Sequence, residues 1–390
     1  MSDESRESLS TMDRIDPYYQ WLADEGPRVI EGLYCRDVGA AELAPWPRKG
    51  VDGAVFNFDG FKGNPKGNDL HIIEIPAGGS TNPERHMYEE IVYVHAGRGA
   101  TSIWHDEKAK QSFEWQTGSL FAIPLNAHFQ HFNASGDQKA RLFSVTTAPT
   151  TLRQFHWNEE FIYDCPIDFT DRYGPEANYY TAEGTMWRSR NNHVWESNFV
   201  PDAPNMHLFE WKERGGGGRN VMLQMGEGNL IAHISEFQVG TYKKAHRHGP
   251  GAYLYILGGE GFSLLWQDGG EAERMKADWG TGSLFLAGAG GGEWFHQHFN
   301  SGKNPARYLA LRGGNGSFKY GPNVTGAGRM ADVSIKDGGI QLEYQDEDPE
   351  VHRIFEEEVR AHGAECRMKA LSPYCTGETG PTAEGEWGDA

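Results

Sequence analysis

The chain repeats itself once, and this constrains its fold more than any other feature. Glu114-Trp-Gln-Thr-Gly-Ser-Leu-Phe121 returns as Asp278-Trp-Gly-Thr-Gly-Ser-Leu-Phe285. Phe129-Gln-His-Phe-Asn133 returns, shifted by one residue, within Phe295-His-Gln-His-Phe-Asn300. Lys139-Ala-Arg-Leu-Phe143 is matched by Pro305-Ala-Arg-Tyr-Leu309. Upstream, Val92-Tyr-Val94, Gly97-Arg-Gly99 and Trp104 match Leu254-Tyr-Ile256, Gly259-Glu-Gly261 and Trp266. Two long copies are a duplicated domain; a solenoid needs more and shorter ones.

Each copy alternates with a period of two. Ile91, Tyr93 and His95 point one way, and Val92 and Val94 the other. Leu254–Leu257 and Phe262–Trp266 read as strands joined by a Gly-Gly-Glu-Gly turn. Short strands punctuated by Gly, Asn and Pro predict an antiparallel barrel or jelly roll. Helix is expected only at Asp16–Ala23 and at Pro349–His362, where Asp348 caps a stripe of Ile354, Phe355 and Val359. The expected fold class is all-β, with two tandem barrels and short N- and C-terminal helices. The expected segments are a helical leader (1–30), barrel 1 (31–150), an ordered linker (151–195) and barrel 2 (196–320). A helix-bearing extension (321–375) and a disordered tail (376–390) follow.

Lys and Arg number 36 against 55 Asp and Glu, a net charge of -19. That balance repels phosphates and anionic lipid, so neither nucleic acid nor a membrane is an expected partner. Cys35, Cys165, Cys366 and Cys375 are far apart and make no disulfide framework. Residues 1–14 are polar with no apolar run, and the expected location is cytoplasmic.

His246 and His248 stand two apart at a strand start, so both imidazoles project to one face. His296 lies on a later strand of the same copy. Three neutral imidazoles meeting inside a barrel make a facial site for a divalent metal, with positions left open for substrate.

Gly240-Thr-Tyr-Lys-Lys-Ala-His-Arg-His248, Gly259 and His296-Gln-His-Phe-Asn300 resemble the two cupin motifs, and the duplicated chain resembles a bicupin. The resemblance covers both barrels and implies His246, His248 and His296 as metal ligands. Two departures stand out. Ala252 and Tyr253 occupy the places open to the usual glutamate, and Gly288-Ala-Gly-Gly-Gly-Glu293 replaces a Pro-x-Gly turn. Tyr253 has three readings: fourth ligand, proton donor or barrel wall. Glu293 is a further candidate to lean in. In the first copy Glu84, His86 and Glu90 stand where cupins put His, His and Glu, and Phe129 stands in the register of His296. That set is either a second metal site, completed by His131, or a structural barrel. Trp115 and Trp279 read as core anchors, and His298 has a counterpart in His131.

The missing glutamate leans toward gentisate-type non-haem dioxygenases, which the chain more distantly resembles. The resemblance implies a mononuclear Fe(II) enzyme on a small chelating aromatic or enolic acid, with Tyr253 or His298 handling protons. Imidazole equally suits Mn, Ni or Zn. A non-oxidative lyase, decarboxylase or isomerase and a non-catalytic small-molecule binder are the alternatives. Homo-oligomerisation is implied by the resemblance alone.

Overall fold

The computed structural model describes residues 16–32, 34–57, 67–189, 191–248, 251–288, 292–312 and 332–376. The expected disordered tail falls outside the described residues from 377 onward, as do residues 1–15 of the leader and 313–331 of the extension.

Both copies form jelly-roll barrels, so the expected all-β tandem fold is the observed one. Barrel 1 is built from β1 (Val51–Asn57), β2 (Asp69–Ile75), β3 (Glu90–Ala96), β4 (Arg98–Trp104), β5 (Gln111–Gln116), β6 (Leu120–Ile123), β7 (His128–Asn133) and β8 (Ala140–Thr146). Its large sheet runs β1-β2-β8-β3-β6, and a smaller sheet, β7-β4-β5, completes the barrel. Barrel 2 follows the same plan with β9 (Arg219–Gln224), β10 (Ile231–Phe237), β11 (His246–Arg247), β12 (Ala252–Gly258), β13 (Glu260–Gln267), β14 (Met275–Gly280), β15 (Leu284–Ala287), β16 (Trp294–Phe299) and β17 (Ala306–Arg312). There the large sheet runs β9-β10-β17-β12-β15 and the small one β11-β16-β13-β14.

Alternation along each strand divides two kinds of core. Ile91, Tyr93, Phe143 and Val145 of barrel 1 meet Tyr253, Tyr255, Leu309 and Leu311 of barrel 2 in one shared apolar cluster. Their sequence neighbours Val92, Val94 and Leu142, and Leu254, Ile256 and Ala310, belong to separate clusters within each barrel. The large sheets therefore pack on one another, and the barrels are joined through their apolar faces.

The joint is reinforced by exchanged arms. Tyr34–Cys35, just before barrel 1, pairs with β15 of barrel 2, and Phe199–Val200, just before barrel 2, pairs with β6 of barrel 1. Ser283 Oγ donates to Arg36 O and Ser119 Oγ to Pro201 O, at 2.8 and 2.9 Å. Segment boundaries drawn along the sequence thus cross the structural units, because each barrel's entering strand completes the other barrel's sheet.

Among the described residues four α-helices dress the barrels: α1 (Pro17–Glu25), α2 (Ala148–Phe155), α3 (Glu159–Tyr163) and α4 (Pro349–Ala361). In α1 and α4 an aspartate caps the first turn beside a proline. Helix α4 lays Val351, Phe355 and Val359 against Tyr242, Phe262 and Phe299 of barrel 2. Among the described residues no helix is long and apolar enough to cross a membrane.

Tyr253 belongs to the joint: its hydroxyl donates to Asn68 O at 2.7 Å, buried between the barrels. Tyr253→Phe leaves a buried carbonyl without this donor, and global stability in urea is expected to fall by about 1–3 kcal/mol. Metal content should not change.

Candidate metal centre

The pairing of β11 with β16 sets His246 opposite His296. Ring centroids lie 4.0 Å apart for His246–His296, 4.8 Å for His248–His296 and 5.4 Å for His246–His248. One ring nitrogen from each lies within 4.8 Å of the others. His246 Nδ1 faces Lys244 O at 3.4 Å, which leaves Nε2 for the common point. His296 Nδ1 is buried without a hydrogen-bond partner. The ring of His296 lies against Gly288, where a Cβ would come within 2.9 Å of Cε1 at a φ of +68°. Only glycine suits both that backbone angle and that approach. The donor set therefore fits a borderline divalent ion.

Electrostatics favour ligand-ready rings. Burial holds the pKa of His246 and His296 well below the usual imidazole range. The Arg214 guanidinium and the neighbouring imidazoles add to the effect. Rings neutral at physiological pH are the state a metal requires.

Ala252 pairs with Ala287 just as Glu90 pairs with Ile123, so alanine occupies the place of the usual carboxylate. The adjacent Tyr253 points into the inter-barrel core and hydrogen-bonds Asn68. Of the three readings of Tyr253 this position corresponds to the barrel wall, because a one-residue step along a strand turns a side chain to the opposite face. Glu293 is half-buried just before β16 and is not among the converging ligand atoms.

His298 lies on the same side of β16, with its ring centroid 5.4 Å from that of His296. Trp279 Nε1 donates to Ser263 Oγ at 2.9 Å, and that hydroxyl lies 2.8 Å from His298 Nδ1. The hydroxyl thus engages Nδ1, which leaves Nε2 as the ring nitrogen for other partners. Barrel 1 repeats the relay as Trp115, Thr101 and His131, at 2.9 and 2.7 Å. Gln297, by contrast, faces outward and donates to Lys243 O and Glu347.

The charged groups that matter most were not apparent among the histidines. Trp46-Pro-Arg-Lys-Gly50 and Trp211-Lys-Glu-Arg-Gly215 form equivalent turns. Lys49 O accepts from Asn82 N, and Arg214 O from Lys244 N. Each buried cation sits 5.1 Å over its own tryptophan.

In barrel 1 the cation is neutralised from within. Lys49 Nζ lies 3.0 Å from both carboxylate oxygens of Glu84. Burial opposes its charge, but Glu84 and Glu90 outweigh that and hold Lys49 above its ordinary pKa. His86 Nε2 lies 2.9 Å from Glu90, and His86 Nδ1 donates to Tyr88 O. Burial pushes the Glu90 carboxyl up, but the His86 hydrogen bond and the Lys49 charge hold it well below the carboxylate range. The cavity lined by Lys49, His71, Glu90 and His131 measures about 10 Å³, room for a single water. Glu84 pairs with Phe129 as His246 pairs with His296. Of the two readings open for Glu84, His86, Glu90 and His131, this arrangement corresponds to the structural barrel, with the Lys49 ammonium set against Glu84.

In barrel 2 the carboxylates are gone. The positions of Glu84 and Glu90 hold His246 and Ala252, while Arg214 remains. Asp332 lies near Arg214, but burial raises its carboxyl pKa and weakens it as a countercharge. Arg312 shares the inner face of β17 with Ala310 and Tyr308, and its Nε is buried without a partner. Burial and the charge of Arg214 push Arg312 down to about 10, still protonated at neutral pH. Lys243 Nζ reaches Tyr308 OH at 3.1 Å and also donates to Ser235 Oγ. Burial lowers the Lys243 pKa; burial raises that of Tyr308, but the Lys243 charge outweighs it and the phenol is lowered. His233, on β10, is held neutral by burial and by Arg312. The interior is an electropositive pocket lined with neutral imidazoles.

No protein-family model matches the chain, and no curated protein matches it. Among solved structures it is similar to oxalate decarboxylase from Bacillus subtilis at pH 4.6, with TM-score 0.47 and 11% identity over 74% of this chain and 78% of that one. A variant of the Bacillus subtilis enzyme gives TM-score 0.48 and 11% identity over the same shares, 74% and 78%. A further oxalate decarboxylase structure, concerned with proton-coupled electron transfer, gives 0.49 and 12% over 74% and 78%.

Because Glu90 has a lowered folded pKa, its contribution to stability is full at neutral pH and is lost as pH falls through the acid range. Lys49→Met removes the cation from two buried carboxylates. Denaturant unfolding at pH 7 is expected to show a loss of about 3–5 kcal/mol, with partial recovery when Glu84→Gln is added.

Proposed function

We propose that barrel 2 is the active site of a metal-dependent enzyme acting on a small organic acid. The reaction we favour is addition of dioxygen to an aromatic or enolic acid, with Fe(II) held by His246, His248 and His296. One observation carries this reading: three converging imidazoles share an interior with Arg214, Arg312 and Lys243, and alanine stands where a carboxylate would. Among the described residues positive charge there exceeds negative charge, and an anionic substrate would redress the balance.

A divalent ion bound there supplies a Lewis acid with open positions for a chelating anion and oxygen. The remaining roles belong to the chain. Arg312 offers an unpaired buried N–H to a carboxylate, a charge-assisted contact. Arg214 adds positive potential from the turn beneath the histidines. His298, held through Nδ1, presents its Nε2 to the substrate and orients a polar group there. Lys243 and Tyr308 form a proton-sharing pair at 3.1 Å.

That pair also supports a second reading, a non-oxidative lyase, decarboxylase or isomerase in which it takes or returns a proton. Oxygen dependence separates the two. Protein loaded anaerobically with Fe(II) is expected to consume oxygen in step with loss of a ring-hydroxylated or enolic acid, and Zn(II)-loaded protein is expected to be inactive. Equal turnover without oxygen favours the lyase and sinks the dioxygenase. Arg312→Leu should lower kcat/KM by about 10- to 100-fold, chiefly through KM, and His296→Ala should abolish metal retention. Unchanged kcat/KM in Arg312→Leu removes the carboxylate-binding role.

A further inference from the structure

The C-terminal extension brings together a second set of ligand-type side chains, remote from the barrel-2 histidines. Its four members are drawn from a helix and from the segment that follows it. His352 and Glu356 lie one turn apart on α4, so their side chains share a face. Cys366 and Cys375, nine residues apart in the sequence, meet at 3.5 Å between their sulfurs. His352 Nε2 lies 3.1 Å from Glu356 Oε1, and Cys375 Sγ lies 4.0 Å from the same oxygen. One donor atom from each residue lies within 4.8 Å of all the others.

We propose that His352, Glu356, Cys366 and Cys375 form a structural zinc site that fastens the C-terminal segment to α4. Bond lengths of about 2.3 Å to sulfur and about 2.0–2.2 Å to nitrogen and oxygen give a tetrahedron with edges of about 3.4–3.8 Å. Of the observed separations 3.5 Å falls within that range, 3.1 Å just below it and 4.0 Å just above it, so small side-chain movements close the site. Two sulfurs, one imidazole and one carboxylate select a borderline-soft ion over magnesium or calcium.

The surroundings are arranged as a ligating histidine requires. Tyr242 OH donates its proton to Glu347, so it accepts from His352 Nδ1 at 3.1 Å. That fixes the ring with its Nε2 lone pair toward the cluster. Arg360 Nη2 lies 3.6 Å from Glu356 Oε2, the carboxylate oxygen turned away from the other three donors. It offsets the net negative charge that two thiolates and a carboxylate leave around a divalent ion. Arg367 N donates to Gly240 O at 2.8 Å, which ties the cysteine segment to the strand leading into Tyr242 and His246. A metal here therefore braces the approach to the barrel-2 ligands without touching them.

The test uses the full chain purified with reductant and loaded with Co(II). Expected are thiolate-to-cobalt charge transfer and the intense ligand-field bands of a tetrahedral site. Both should persist in His246→Ala, which separates this site from the barrel-2 centre, and both should vanish in Cys366→Ser with Cys375→Ser. Tyr242→Phe should weaken zinc binding at this site about 10- to 100-fold. Where the double variant fails to fold, alkylation of the wild-type protein decides. Zinc should slow modification of Cys366 and Cys375 at least tenfold while leaving Cys35 unaffected. A cobalt spectrum unchanged in the double variant, equal alkylation with and without zinc, or recovery of Cys366 and Cys375 as a disulfide from the native protein overturns the proposal.

Discussion

Each barrel receives a buried cation from the same Trp-x-x-(Lys/Arg)-Gly turn, and what faces that cation decides what the barrel can do. An ammonium or guanidinium taken out of water costs several kcal/mol unless a countercharge meets it. Barrel 1 supplies the countercharge itself: Glu84 takes Lys49 with both oxygens, and Glu90 adds its field. Barrel 2 keeps the cation and loses both carboxylates. Among the described residues the interior of barrel 2 is richer in positive than in negative charge, and the proposed organic-acid substrate would complement it.

The duplication makes this comparison close to a natural substitution experiment. The two barrels share strand order, the Trp–hydroxyl–His relay and the exchanged arms. Against that constant frame, Glu84 becomes His246, Phe129 becomes His296 and Glu90 becomes Ala252. Phe129 packs its ring 5.3 Å from those of both His86 and His131, closing the interior of barrel 1. His296 in the same register opens a donor toward the pocket. Barrel 1 is thus filled and neutralised from within, whereas barrel 2 gathers the converging histidines. The shared apolar face holds the two rigidly enough for that division, with Tyr253 stitched to Asn68 across it.

Much of this was legible in the sequence, for physical reasons. A repeated Trp-x-Thr-Gly-Ser-Leu-Phe stretch marks a turn with an anchor, and His-x-His on a strand must share a face, so the barrels and the three histidines could be read directly. Tyr253 could not. Two spacings for the cupin glutamate were open, Ala252 and Tyr253 filled both, and only strand register tells which one faces inward. Lys49 and Arg214 lay hidden because their turn keeps just tryptophan, a basic residue and glycine in common. Tyr308 and Arg312 stand four apart on one strand, a spacing that places both inside, but nothing local marks that strand's inner face. The meeting of Cys366 and Cys375 beside His352 needs the path of the whole extension, which no spacing rule supplies.

The extension also explains why barrel 2 tolerates so polar an interior. Its ligand-bearing approach, Tyr242 to His248, meets β16 along the two-residue β11 and at one isolated bridge, Tyr242 with Phe299. Such a short strand has little ladder to hold it. The extension makes up the difference: Leu342 N donates to Ala245 O, Arg247 N donates to Ile340 O, and Tyr344 OH donates to Tyr242 O at 2.6 Å. Phe355 of α4 packs on the Tyr242 ring. In barrel 1 the equivalent segment is tied from inside by Lys49 and Glu84, and Met87 N donates to Ile162 O of α3. In barrel 2, where that ion pair has no counterpart among the described residues, the extension supplies the support, and the same extension carries the candidate zinc site.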